Sequence, residues 1–381
     1  MYCALLFSCG GGSTASRQEK GDTLAFKYAT GLCVIRYHDY TLATLKNPWK
    51  EGKALHQYIL VPSGREIPSG IPQGTVIRTP LRRSMIFSTV HCAMLMEMGR
   101  QDCIAGVADL KYIKIPWIHQ QVAKSKIADV GDGLSPVVEK IIDSRPDALF
   151  LSPFENSGGY GRLEEIDIPI VECAEYMEPS PLARAEWIRF YGLLFGCEAK
   201  ADSLFAITDS SYNALKALAS ASNSPAPQHP RTPTPPRILL DKMTGSVWYV
   251  PGGQSTLGQM MTDANARYPW AGDTHSGSVS LPFETVLEKA GESDVWLFRY
   301  SGSRPPTYTE LLGEHHGYSQ FRAFREHRVY GCNVEMNTFY EETPFHPDWL
   351  LNDFIRILHP EIEGLHPLRY YQKLEVSSRT F

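Results

Sequence analysis

The sequence predicts an α/β protein of two βαβ lobes bridged by a single long α-helix. Three observations carry that reading. The chain has 381 residues, too many for one ordinary core and suited to two domains of roughly 100–200 residues each. Strand-then-helix order occurs on both sides of a stretch without strand signals, Ser180 to Ala221. Two segments also echo each other, "SPVVEKIIDSRPDALFLS" (Ser135 to Ser152) and "SLPFETVLEKAGESDVWLFR" (Ser280 to Arg299). Each writes a proline, then a glutamate opening an apolar helical run, then an aspartate leading into a short apolar strand.

Composition narrows the classes. Hydrophobic residues make up 43% and charged residues 21% of the chain, the balance of a folded soluble protein. No apolar run approaches the roughly 20 residues of a spanning helix. A formal net charge of −5 argues against nucleic acid, whose binders concentrate Lys and Arg on one face. The N-terminus, "MYCALLFSCGGGSTAS", resembles the lipobox of a bacterial lipoprotein: a short apolar run ends in Leu6-Phe7-Ser8-Cys9, followed by a Gly/Ser tether. Cys9 is therefore the expected lipidation site, and residues 1–20 are read as signal remnant and tether. Six further cysteines, Cys33, Cys92, Cys103, Cys173, Cys197 and Cys332, include no C-x-x-C pair. Zinc-ligand spacing is absent, and their scatter through apolar stretches suits buried free thiols as well as disulfides.

The elements follow in order. From Thr23, "TLAFKYATGLCVIRYHDYTLATL" alternates apolar and polar residues, the period-two pattern of half-buried strands in a hairpin. "RRSMIFSTVHCAMLMEMG" reads as a strand, a Ser88-Thr89 cap and a helix ending at Gly99; "CIAGVAD" is the next strand. The first echo supplies a helix from about Pro136 and the strand "ALFLS", and "IPIVECAEY" is another strand. These make an N-terminal lobe over residues 21–180, with a parallel sheet under its helices. Residues 181–221 contain no proline after Pro181 and read as the interlobe helix. "SNSPAPQHPRTPTPPR" cannot build a core and is an exposed connector over 222–236. Strand-helix order then restarts over 237–381 with "RILLDKM", "SVWYVPGGQS", the second echo, "VWLFRY" and "VYGCN".

Taken in order, "IFSTVHCAMLMEMGRQDCIAGVAD", "EKIIDSRPDALFL", "IPIVECAEY", "VPGGQSTLGQMMTDANARYPWAGDTHSGSVSLPFETVLEKAGESDVWLF" and "HPDWLLNDFIRILHPEIEGLHPLRYYQKL" resemble ABC-transporter substrate-binding proteins of the vitamin B12, iron-siderophore and haem class. The resemblance runs from about Met85 to Leu374. It implies two Rossmann-like lobes with the ligand in the cleft between them and little hinge closure, a carrier and not an enzyme; the alternative reading is an α/β enzyme or cofactor-binding protein built on similar lobes. The resemblance further implies a monomer that hands a metal chelate, corrinoid or haem to an ABC permease with its ATPase. In that class each lobe shows the permease a glutamate at a helix start; the echo supplies Glu139 and Glu284.

Ligands of open α/β sheets lie beyond the carboxyl ends of strands. That rule selects Ser88, Thr89 and His91 after "MIF", Asp109 and Tyr112 after "AGVA", Phe154 and Asn156 after "LFLS", and Tyr176 after "IVECA". In the second lobe it selects Gly252, Gly253, Gln254 and Ser255 after "WYV", then Trp270, Arg299, Tyr300, Asn337 and Tyr340. Thr89 and Ser255 double as helix caps. "PGGQS" lacks the spacing of a nucleotide loop, so its glycines are expected to let a bulky ligand approach. No G-x-S-x-G elbow or hydrolytic triad is present. The reading requires no cofactor and no resident metal.

Overall fold

The computed structural model describes residues 21–155, 159–221 and 234–376. Five strands come first: β1 (Asp22–Leu24), β2 (Leu32–Arg36), β3 (Thr41–Lys46), β4 (Ala54–Pro62) and β5 (Thr75–Thr79). They form one sheet in that order, antiparallel except for the parallel β4–β5 pair. Leu32, Val34, Ala43 and Leu45 are buried at alternate positions, as the period-two pattern requires. The sheet exceeds the expected hairpin because Tyr58, Ile59, Leu60 and Val61 of β4 are all buried and show no alternation.

The N-terminal lobe continues with β6 (Ser84–Ile86), α1 (Thr89–Glu97), β7 (Ile104–Val107), α2 (Pro116–Ala123), β8 (Ala128–Asp129), α3 (Val138–Ser144), β9 (Ala148–Leu151) and β10 (Ile170–Glu172). Its sheet is parallel, in the order β10-β9-β6-β7-β8. The chain steps outward from β6 to β8 and then returns to the other side of β6. Strand order therefore reverses at β6, which opens a crevice beyond its carboxyl end. The first sheet shares this lobe's core, and the Tyr58 hydroxyl accepts the Glu172 N–H at 2.8 Å.

The interlobe segment is three helices rather than one: α4 (Pro181–Glu186), α5 (Ile188–Phe195) and α6 (Glu198–Ala221). Ser180 caps α4 by accepting the Ala183 N–H, and Pro181 occupies its first turn. Gly196, at φ 60°, ends α5 in the left-handed conformation that glycine adopts freely, and the chain turns back into α6. With 24 residues, α6 is about 36 Å long at 1.5 Å per residue. Ala201 and Phe205 in its first half belong to the N-terminal core, and Tyr212 and Ala219 in its second half to the C-terminal core. This one helix ties the two cores together.

The C-terminal lobe contains β11 (Ile238–Leu240), β12 (Met243–Thr244), β13 (Val247–Pro251), α7 (Thr256–Asp263), β14 (Ser278–Leu281), α8 (Phe283–Ala290) and β15 (Val295–Tyr300). After these come α9 (Tyr308–Glu314), α10 (Arg322–Arg325), β16 (Val329–Asn333), α11 (Phe339–Glu342), α12 (Pro347–Leu358) and β17 (Tyr371–Lys373). β11, β15 and β16 are parallel neighbours, with β17 antiparallel beside β16. β12, β13 and β14 form a separate antiparallel sheet. Trp248, Trp296, Tyr318 and Phe321 fill the core, with Trp296 edge-on to Tyr318 at 4.9 Å. Each such pair contributes about 0.5–1.5 kcal/mol beyond its burial. The two echoed segments become α3–β9 and α8–β15, one in each lobe. All six described cysteines are free, and among the described residues no helix is long and apolar enough to cross a membrane.

Candidate functional site

Three hollows lie at or beside the carboxyl ends of the two parallel sheets. In the N-terminal lobe a hollow of about 670 Å³ is bordered by Phe87 after β6, Asp109 after β7 and Phe154 after β9, with Leu134 and Tyr160. In the C-terminal lobe a cavity of about 700 Å³ is bordered by Asp241 after β11, Arg299 and Tyr300 at the end of β15, and Val334 after β16. A pocket of about 280 Å³ lies between the lobes, walled by Ser88 and Thr89 on one side and by Thr256, Met260, Phe339 and Tyr340 on the other. Arg299 and Tyr340 line both this pocket and the C-terminal cavity, while Phe87 and Ser88 are sequence neighbours on the N-terminal side. The interlobe pocket and the C-terminal cavity therefore adjoin, and the N-terminal hollow begins one residue back along the chain; the three together are termed the trough.

The trough's charges are largely answered within the protein. Arg299 donates to Asp241 through Nε at 3.0 Å and a terminal nitrogen at 2.8 Å. Burial works against the Arg299 cation, but the adjacent carboxylate outweighs it and raises the pKa above the usual guanidinium range. Arg304 pairs with Glu310, and Lys242 with Glu314. The Arg304 hydrogen bond, with the Thr307 cap behind it, holds the exposed Glu310 carboxyl at about 2. Tyr249 and Tyr340 remain 45% and 49% exposed, and Leu134 is 90% exposed. Such surface favours apolar and aromatic ligand faces.

Of the residues selected from sequence, Ser88, Thr89, Asp109, Phe154, Arg299, Tyr300 and Tyr340 line the trough. Asp109 adopts φ 51°, the left-handed region that Asp tolerates better than most residues. Asn156 lies outside the described residues. The others are placed elsewhere. His91 is buried in the N-terminal core, its Nε2 3.2 Å from both Glu175 and the Tyr191 hydroxyl. The apolar run of α1 turns that face inward. Tyr112 is exposed beside Lys111, and the Tyr176 hydroxyl donates to the Pro153 carbonyl. Trp270 is 5% exposed against Tyr268, and Gln254 is exposed. Ser255 caps α7 by accepting the Gly258 N–H. Asn337 donates to the Tyr370 carbonyl and accepts from the Phe339 N–H.

Gly252 and Gly253 also serve a different purpose from the one expected. A Cβ on Gly252 would sit 2.3 Å from the His275 carbonyl oxygen, and one on Gly253 2.4 Å from that of Asp273. The glycines admit the protein's own 270–277 loop, and neither lines the trough. The reason is topological: β13 belongs to the antiparallel sheet, where the carboxyl-end rule does not apply.

Sequence reasoning missed Asp241, Lys242, Tyr249, Leu134 and Arg184. Asp241 had a signal, since it directly follows "RILL"; Tyr249 stands in the antiparallel β13, and the others in loops or in α4, whose position only the fold sets. His91, Cys173 and Glu175 bring potential metal-ligand atoms within 4.8 Å of one another. Burial, with Glu175 nearby, pushes the Cys173 thiol well up, which opposes the thiolate a metal needs. Burial opposes charge on Glu175, but His91, its first partner, and Arg184 hold its carboxyl at about 2. Within the cluster His91 Nε2 faces Glu175 at 3.2 Å, while its Nδ1 is buried without a partner among the described residues.

The periplasmic binding protein family matches residues 93–335. An uncharacterized lipoprotein of Methanocaldococcus jannaschii is 25% identical, covering 95% of this chain and 88% of its own length. A second uncharacterized lipoprotein of that organism is 24% identical over 95% and 92%. Among solved structures, a periplasmic haem-binding protein from Pseudomonas aeruginosa superposes with a TM-score of 0.57 at 13% identity, covering 78% of this chain and 99% of that one. An ABC-type Fe3+-hydroxamate transport protein from Saccharomonospora viridis gives 0.55 at 17% identity, covering 74% and 94%. At these identities the structural likenesses establish the two-lobed fold.

Proposed function

The chain belongs to the periplasmic binding protein family, and we propose that it is the extracytoplasmic substrate-binding component of an ABC importer. Its cargo is an iron-siderophore, corrinoid or haem complex, presented to a membrane permease. The observation that carries this reading is the trough at the carboxyl ends of both parallel sheets, with aromatic walls and most of its charges paired inside the protein. Flat aromatic faces take up a macrocycle or chelate with little loss of side-chain freedom. A carrier needs such walls and a few polar hooks; an enzyme needs a convergent acid, base or nucleophile.

Two further parts belong to the proposal. Cys9 carries the lipid anchor; the names of the two lipoprotein relatives support this, and the residue lies outside the described ones. Glu139 and Glu284 are exposed in the first turns of α3 and α8 and dock the permease. The experiment is recovery of cargo. The purified protein is incubated with ferrioxamine, ferric enterobactin, cobalamin or haemin, desalted, and its bound fraction analysed by mass spectrometry. One complex retained unaltered is the expected result; a chemically changed product would favour an enzyme.

A further inference from the structure

The interlobe pocket contains one charged group that no side chain or carbonyl of the described residues hydrogen-bonds, although the Glu175 carboxylate acts on it through space. Arg184, on α4, lines it together with Ser88, Thr89, Thr256 and Arg299. Its Nε is sealed from solvent and donates to no acceptor. Among the described residues its guanidinium forms no hydrogen bond or ion pair, yet the residue keeps part of its surface accessible. The other arginine of the wall is held by Asp241. The carboxylates on this side are committed as well: Glu175 to His91 and to the Tyr191 hydroxyl, Glu341 to the Thr89 hydroxyl and the Lys114 N–H. Burial lowers the Arg184 pKa from the usual guanidinium range, and the fields of Glu175 and Tyr191 only partly offset it.

A desolvated guanidinium whose donors make no hydrogen bond is costly even beside a carboxylate's field, and a fold that keeps one needs a reason. Arginine's planar fork matches a carboxylate with two parallel hydrogen bonds. The wall around it is of the same sign: α1 begins there, and Ser88 provides no side-chain cap for its first amides. At about 280 Å³ the pocket takes an arm of a molecule, while the adjoining cavity of about 700 Å³ takes a larger body.

We propose that Arg184 is a ligand-binding residue and that the cargo bears a carboxylate arm, which enters the interlobe pocket and pairs with the guanidinium. This deepens the carrier reading and rests on it.

The test uses the full chain and paired probes, haemin with its two free carboxylates and haemin dimethyl ester. The free acid should bind at least tenfold more tightly than the ester. Arg184→Gln should erase that difference while leaving the ester's affinity within about twofold, and Arg184→Lys should retain part of it. Equal affinity of acid and ester, or a preference that survives Arg184→Gln, overturns the proposal. Citrate alone supplies a second measurement that needs no chelate. At constant ionic strength it should raise the melting temperature of the wild type and not of Arg184→Gln; equal shifts, or none in either, also overturn it. Should neither haemin probe bind the wild type, the haem option of the carrier reading falls, and the citrate comparison alone decides the role of Arg184.

Discussion

Glu186 is completely buried, and its carboxylate accepts the N–H groups of Lys27, Tyr28 and Ala29 at 2.7–2.8 Å. Glu178 does the same for Thr30 and Gly31 and accepts the Trp187 indole N–H. These two side chains clasp the strap between β1 and β2 to α4 and to the turn that precedes it, so the N-terminal sheet is held by backbone donors that have no strand partner. Unsatisfied buried donors cost about 1–3 kcal/mol apiece. Glu186→Ala should therefore lower the unfolding free energy by about 3 kcal/mol in urea titrations; a loss below about 1 kcal/mol would mean the strap finds other acceptors. Glu175 gives a pH signature. Its folded pKa of about 2 lies below the usual carboxylate value near 4.5, so the stability it contributes is full above pH 4.5 and is lost as pH falls toward 2. The loss amounts to up to about 3 kcal/mol. Urea midpoints measured across pH 5 to 2 should fall less steeply in Glu175→Gln than in the wild type.

Helices and strands show where sequence patterns suffice. α3–β9 and α8–β15 were legible because each combines a first-turn glutamate, an apolar stripe and an aspartate before an apolar strand. β2 and β3 were legible from strict alternation. β4 and β5 were not, since full burial removes the alternation from "YILV" and the five residues of β5 give too short a window. The helical stretch after Ser180 was visible, but its break at Gly196, the turn between α5 and α6, was not. At the site, the carboxyl-end rule found Arg299, Tyr300 and Asp109 because it depends on topology that the strand order conveys. Gly252 and Gly253 fall outside the trough, because β13 leaves the parallel sheet. The rule could not reach Arg184, which stands on a helix. For the two first-turn glutamates, rim charges mainly steer association and fix register. Reversing both, Glu139→Arg with Glu284→Arg, should impair uptake in cells carrying the cognate permease while ligand affinity stays unchanged. Normal uptake, or lost ligand binding, would reduce both residues to stabilisers of their helix ends.

Across the whole molecule, contacts between the lobes frame the trough. α6 enters both cores, the Thr89 hydroxyl donates to Glu341 at 3.0 Å, and Glu97 at the end of α1 lies 2.6 Å from His346, which stacks on Trp349 at 3.7 Å. These links favour small adjustments over a wide hinge, so a ligand meets a largely formed site. Tyr340 stands where the C-terminal cavity meets the interlobe pocket, and Tyr340→Ala should weaken cargo binding about tenfold, roughly 1.4 kcal/mol, with the fold intact. The measurement that decides whether the trough is a carrier's site is a tryptophan-fluorescence titration of the purified chain against ferric siderophores, cobalamin and haemin. One of them should quench saturably at one equivalent with micromolar or tighter affinity, and Tyr340→Ala should shift that curve to higher concentration. Absence of saturable quenching by every complex, or a curve that Tyr340→Ala leaves in place, would contradict the assignment of the trough as the cargo site.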